Sequence, residues 1–90
     1  MFFVYIIKSL KDESFYIGQT DDIEKRIEQH NQGLSKYTSK KMPWELVYKE
    51  EYTSREDAMK REYFLKKQRN RSFYNRLAEE FKIRTGSSAG

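Results

Sequence analysis

"FFVYIIKSLKDESFYIGQT", residues 2–20, decides how this chain folds. Two short runs rich in Phe, Val, Tyr and Ile flank the polar stretch "LKDES". Aromatic and β-branched residues suit the pleated, half-buried surface of a strand. A hairpin is therefore predicted, although no Asn-Gly or Asp-Gly pair marks its turn. Alternation places Phe3, Tyr5 and Ile7 on one face of the first strand and Val4 and Ile6 on the other. On the second strand Ser14, Tyr16 and Gly18 share a face opposite Phe15 and Ile17. If Tyr5 pairs with Tyr16, both hydroxyls emerge on one side; a slip of one residue sends them to opposite faces. Gly18 is expected to end the second strand, where bare backbone permits a bend or the close approach of a ligand.

Outward from the hairpin, "TDDIEKRIEQHNQG" reads as a helix. Thr20 or Asp21 can cap it, Asp21, Asp22 and Glu24 suit its positive N-terminus, and Gly33 can end it. "LSKYTSKKMP" is a basic, hydroxyl-rich loop closed by the only proline, Pro43. "WELVYKEEYT" reads as a third strand. Thr53 or Ser54 then opens a second helix running to about residue 67, because both Thr53-x-x-Glu56 and Ser54-x-x-Asp57 have capping-box spacing. A third helix is expected over residues 71–82. The expected class is α+β, a single domain over residues 1–83 with 84–90 a flexible tail.

Ninety residues, 37% apolar and 16% aromatic, allow one modest core in which rings supply much of the buried area. Without cysteines there are no disulfides, thiolate metal sites or cysteine nucleophiles. No apolar run reaches the roughly 20 residues a bilayer span needs, and "MFFVYIIKSL" has no basic start to serve as a signal peptide. A cytoplasmic protein with no membrane partner is expected. The net charge is +4. Residues 55–76 carry eight cations and three acids, a segment able to gather phosphates. A solvated helix face is the competing reading.

Three positions fit a purely structural reading poorly. Ile23 and Ile27 mark the inner side of the first helix, and Arg26 and His30 lie one turn apart beside that stripe. A cation there would hold a partly desolvated phosphate, or simply lay its stem along the core. For His30 the structural reading is favoured, because a lone histidine near a helix end often caps carbonyls. In the second helix Glu62 falls between Ala58 and Leu65, and a carboxylate among apolar neighbours needs a cation, a donor cluster or a metal ion. A surface salt bridge to Lys66 or Arg61 is its alternative.

These residues together resemble the GIY-YIG nuclease superfamily, especially its small single-domain bacterial members. "FVY" at 3–5 stands where that family has Gly-Ile-Tyr, and "YIG" at 16–18 matches its second signature. The likeness continues through "GQTDDIEKRIEQHNQG", "SKYTSKKMPWELVYKEEY" and "SREDAMKREYFLKK", covering about residues 2–68. The resemblance implies a three-stranded antiparallel sheet flanked by helices and metal-dependent hydrolysis of a nucleic-acid phosphodiester. It implies Glu62 as the ligand of Mg²⁺ or Mn²⁺, and Arg26 as the group that meets charge on the scissile phosphate. It implies Tyr5 and Tyr16 as neighbours that activate or orient the attacking water, and His30 as an aid in removing the Tyr5 proton. Gly18 would be the backbone element beside them. Lys36, Lys40, Lys41, Lys66 and Lys67 would position a nucleic-acid backbone. Tyr37 and Trp44 would stack on a base or pack in the core. Asn75 or Asn70 is the candidate for the asparagine that several relatives carry on the last helix.

Two departures stand out. Phe3 replaces the first family glycine, and Gln19 sits where many relatives have a basic residue. The expected function is a DNA endonuclease, DNA over RNA, with branched or damaged DNA as candidate substrates in repair or recombination and a protein partner supplying targeting. A non-catalytic nucleic-acid-binding module is the alternative, and a protein-interaction module a third.

Overall fold

The computed structural model describes residues 1–85. Strands β1 (Phe2–Ser9) and β2 (Phe15–Thr20) form the hairpin, followed by helix α1 (Ile23–Asn31), strand β3 (Trp44–Tyr52) and helices α2 (Arg55–Gln68) and α3 (Arg71–Thr85). The sheet is antiparallel in the order β2-β1-β3, with the first strand in the centre. The α+β class and the three strands are as expected. Helix α3 continues to Thr85, two residues into the expected tail, and the rest of that tail lies outside the described residues.

Central position explains the composition of β1. A strand paired on both edges and covered on both faces has no polar side, and Val4, Tyr5, Ile6 and Ile7 are all buried. Val4 and Ile6 join Ile17, Tyr48, Ala58, Leu65 and Tyr74 beneath α2 and α3. Tyr5 and Ile7 join Ile23 and Trp44 beneath α1. The sheet is thus the middle layer of three. No helix among the described residues is long and apolar enough to cross a membrane.

Local chemistry places the helix ends. Asp22, not Thr20 or Asp21, caps α1: its carboxylate accepts from the Lys25 N–H at 3.1 Å. Thr20 is still paired in β2, and its hydroxyl accepts from the Asp22 N–H instead. Gly33 ends the helix at φ +77°, and the Leu34 and Gly33 N–H groups return to the Gln29 and His30 carbonyls. Ser54 caps α2, and the Asn70 side chain accepts from the Ser72 and Phe73 N–H groups at the start of α3. Asn70 is therefore a cap.

The hairpin register departs from the simplest expectation. Tyr5 faces Gly18 across the ladder, and Tyr16 faces Ile7. The offset is even, so the two tyrosines still share a face, diagonally placed. Gly18 does not end β2, which runs on to Thr20. The close approach made possible by its bare backbone is taken by the protein itself: a Cβ on Gly18 would lie 2.6 Å from Tyr5 Oη and 2.8 Å from Cζ. The Tyr5 ring lies across β2 in the space a side chain would fill.

Gly18→Ala is expected to destabilise the fold by about 1–3 kcal/mol, as overpacking does. Denaturant unfolding of Gly18→Ala in the native and Tyr5→Leu backgrounds isolates the cause, since leucine removes the opposing ring atoms. An alanine penalty of equal size in both backgrounds would disprove this contact as its origin.

Candidate active site

Tyr5, Tyr16, Arg26 and His30 come together on the α1 side of the sheet. Tyr5 Oη lies 2.9 Å from His30 Nε2, and His30 Nδ1 lies 2.8 Å from Thr38 Oγ1. Both His30 and Thr38 are fully buried. His30 therefore spends its ring nitrogens on two side chains rather than on helix-end carbonyls. Tyr16 is the hub of the aromatic layer, with ring centroids 6.5 Å from Tyr5, 5.1 Å from His30, 5.7 Å from Tyr37 and 6.3 Å from Trp44.

Burial sets the protonation of this pair. Desolvation pushes the Tyr5 phenol up to about 12, against the opposing pull of the Arg26 guanidinium. Desolvation, aided by the Arg26 charge, brings His30 down to about 4. Both groups are therefore neutral near pH 7. Burial works to lower the Arg26 pKa, but the Tyr5 and Tyr16 hydroxyls beside it turn the balance upward. The guanidinium also donates to Gln29 Oε1 at 3.1 Å.

Glu62 arrives from the other layer. Its side chain is 18% exposed, between buried Ala58 and Leu65 in sequence. Gln19 Nε2 donates to its Oε1 at 3.1 Å, and Lys66 Nζ lies 2.8 Å from its Oε2. Arg61 is not its partner, because Arg61 pairs with Glu50 at 3.0 Å, and Glu50 also accepts from Tyr48 and Tyr52. Gln19 immediately follows Gly18, so Glu62 stands beside the edge strand where the Tyr5 ring crosses it. The Glu62 charge reaches Tyr5, where it adds to the upward push on the phenol.

Gln19, Met59, Glu62, Tyr63 and Lys66 line a cleft of about 230 Å³. Among the described residues there is no cluster of three or more His, Cys, Asp and Glu. A lone, partly exposed carboxylate in an open cleft suits Mg²⁺, which keeps several waters and takes further oxygens from a phosphate.

The remaining sequence candidates are scattered. Tyr37 is 63% exposed beside Tyr16, whereas Trp44 is buried and donates its indole N–H to the Thr38 carbonyl. Lys36 and Lys40 are exposed. Lys41 turns toward Asp12 at 3.4 Å, and Lys67 lies 5.1 Å from the Tyr63 ring. Asn75 lines a different cavity with Lys8, Glu45 and Phe81, between α3 and β3, and is not brought to this site. Sequence reasoning missed Thr38 and the pairing of Gln19 with Glu62. A hydroxyl inside an aperiodic basic loop carries no pattern that would reveal its burial.

Comparison with known proteins follows the same lines. The GIY-YIG catalytic domain family matches residues 1–76. A UPF0213 protein of Clostridium perfringens is 48% identical over 68 residues, spanning 74% of this chain and 72% of its own. A UPF0213 protein of Staphylococcus saprophyticus is 48% identical over 65 residues, spanning 71% and 78%. The solution NMR structure of a UPF0213 protein from Bacillus halodurans superposes with a TM-score of 0.54 at 34% identity, covering 98% of this chain and 90% of that one.

The low pKa of His30 has a signed consequence. Between about pH 6.5 and 4 the unfolded chain binds a proton on His30 that the folded chain does not. Stability should therefore fall on acidification through that window, by on the order of 2–3 kcal/mol. Urea unfolding at pH 7 and pH 4.5 reads the loss, and His30→Gln should lack this part of it. Since the chain has one histidine, an NMR titration follows the group directly; a midpoint near 6.5 would contradict the burial argument.

Proposed function

Because the chain belongs to the GIY-YIG catalytic-domain family, we propose that it is a divalent-metal-dependent endonuclease that hydrolyses phosphodiester bonds in DNA, branched or damaged DNA included, in the cytoplasm. The observation that carries the reading is the meeting at the β2 edge of a neutral phenol–imidazole pair, an arginine and a carboxylate. Each has a separate task in attack on a phosphate. RNA remains a less favoured substrate.

Arg26 holds the negative charge of the scissile phosphate and meets the further charge that develops in the transition state. Tyr16 orients the phosphate from the same face. The attacking water gives its proton to Tyr5 Oη as the phenolic proton passes to His30 Nε2, 2.9 Å away. The P–O bond to water forms, the bond to the leaving oxygen breaks, and that oxygen takes a proton from solvent. His30 then returns its proton through Tyr5 to bulk water. An imidazolium beside Arg26 is unfavourable in the free protein, and a bound phosphate offsets that repulsion. Glu62 would hold Mg²⁺ or Mn²⁺, which supplies Lewis-acid polarisation of phosphate oxygens when bound. Exposed Lys36, Lys40 and Lys67, and Tyr37 with its open ring, would steady the nucleic acid.

One observation favours a non-catalytic binding module instead: Lys66 already neutralises Glu62 at 2.8 Å. The two readings part on a single experiment. Supercoiled, single-stranded and branched DNA are incubated with the protein and Mg²⁺ or Mn²⁺, beside Glu62→Ala, Tyr5→Phe and Arg26→Ala. Cleavage by the native chain, with losses of about 10²-fold or more in each variant, is expected. Equal cleavage by all four proteins would mean a contaminating nuclease and remove the proposed site. Salt-sensitive binding without cleavage would establish the binding module.

A further inference from the structure

We infer that Thr38 is a positioning residue whose hydroxyl holds His30 in the tautomer that leaves Nε2 free to accept the Tyr5 proton. The inference rests on the hydrolytic role proposed for Tyr5, but its first readout does not need that role. Thr38 Oγ1 is 2.8 Å from His30 Nδ1 and 3.4 Å from the Ser35 carbonyl, with no solvent exposure. The proton can sit on either ring nitrogen, and counting donors decides between them.

With the proton on Nδ1, every donor has an acceptor. Tyr5 Oη donates to Nε2, Nδ1 donates to Thr38 Oγ1, and the threonine hydroxyl donates to the Ser35 carbonyl. With the proton on Nε2, the Tyr5 hydroxyl loses its acceptor. His30 Nε2 is the one protein acceptor that the hydrogen bonds among the described residues give Tyr5 Oη, and Arg26 beside it has only donors. The phenol proton would then depend on the site water that the proposed reaction consumes, while the threonine hydroxyl, turned to Nδ1, would leave the buried Ser35 contact. The first arrangement also points the free electron pairs of Tyr5 away from His30, toward the site.

Holding the loop is a separable job, done by the main chain of the same residue. The Thr38 carbonyl accepts from the Trp44 indole at 2.9 Å and from the Lys41 N–H at 3.1 Å. Removal of the hydroxyl leaves those bonds in place, so an effect of the hydroxyl can be told from collapse of the loop.

The test compares the native chain with Thr38→Ser and Thr38→Val by nitrogen-15 NMR of the single imidazole, together with single-turnover cleavage of DNA. The native chain and Thr38→Ser should show protonated Nδ1 and bare Nε2. Thr38→Val should shift toward the Nε2-protonated form and cleave about tenfold more slowly or worse, with DNA binding unchanged, while Thr38→Ser stays near the native rate. An Nε2-protonated native histidine, or a valine variant with an unchanged tautomer, overturns the inference. If Thr38→Val fails to fold, the tautomer in the native chain and Thr38→Ser still decides it. The expected tautomers without cleavage by any protein would support the assignment while removing the nuclease reading.

Discussion

A phenol on the central strand of a covered sheet has its ring in the core and a polar tip that must find partners there. Tyr5 solves this by lying across its neighbour β2, and it can do so only because the residue opposite is Gly18. The missing Cβ, rather than any unusual backbone conformation, is what matters at that position. The hydroxyl is thereby carried one strand outward from the centre, to the rim of the sheet. Edge position is essential to this arrangement, since a further strand beyond β2 would close the rim.

From that rim both outer layers become reachable. Helix α1 presents Arg26 and His30 from one face, and α2 presents Glu62 from the other, with Gln19 of the edge strand bonded to Glu62. The two permanent charges are therefore supplied by different helices on different faces, while the neutral pair lies between the sheet and α1. Burial enforces neutrality on that pair: a phenol raised to about 12 and an imidazole lowered to about 4 keep the shared proton on oxygen at rest. Elsewhere on the α2 face, Glu50 and Arg61 neutralise each other. That pairing leaves the Glu62 carboxylate to Gln19 and Lys66 at the cleft.

The loop between α1 and β3 carries more of the site than its composition suggests. Its basic side chains face outward or toward the hairpin turn, while toward the site it sends the Thr38 hydroxyl and carbonyl and the Tyr37 ring beside Tyr16. Asn31 completes the link by bonding to the main chain of Trp44 with both ends of its amide. The site is thus held by a chain of bonds running from the central strand through α1 to the start of the third strand.

Strands, helices and their order were legible in the sequence because they rest on local chemistry: apolar alternation, capping side chains and Gly33 each act within a few residues. Local chemistry also made Arg26 and Glu62 stand out beside their apolar neighbours, whereas Tyr5, Tyr16 and His30 suit a strand or a helix end and gained a role only from the resemblance of the ordered set to the GIY-YIG superfamily. The first helix cap falls on Asp22 rather than on Thr20 or Asp21, and Thr20 is excluded by its place in the β2 ladder, a tertiary demand. The sequence does not determine the register for a related reason, since side-chain alternation repeats every two residues and cannot distinguish Tyr5 opposite Tyr16 from Tyr5 opposite Gly18. Thr38 and Gln19 acquired their partners only in three dimensions, at separations of 8 and 43 residues from His30 and Glu62, whereas the Lys66 bridge to Glu62, one helical turn apart, was already offered by the sequence. The sequence by itself determined the elements, their order and the set of polar side chains that the family motif singles out. Tertiary structure decided which of them meet, because a side chain's partner is fixed by which strands pair and which edge stays open.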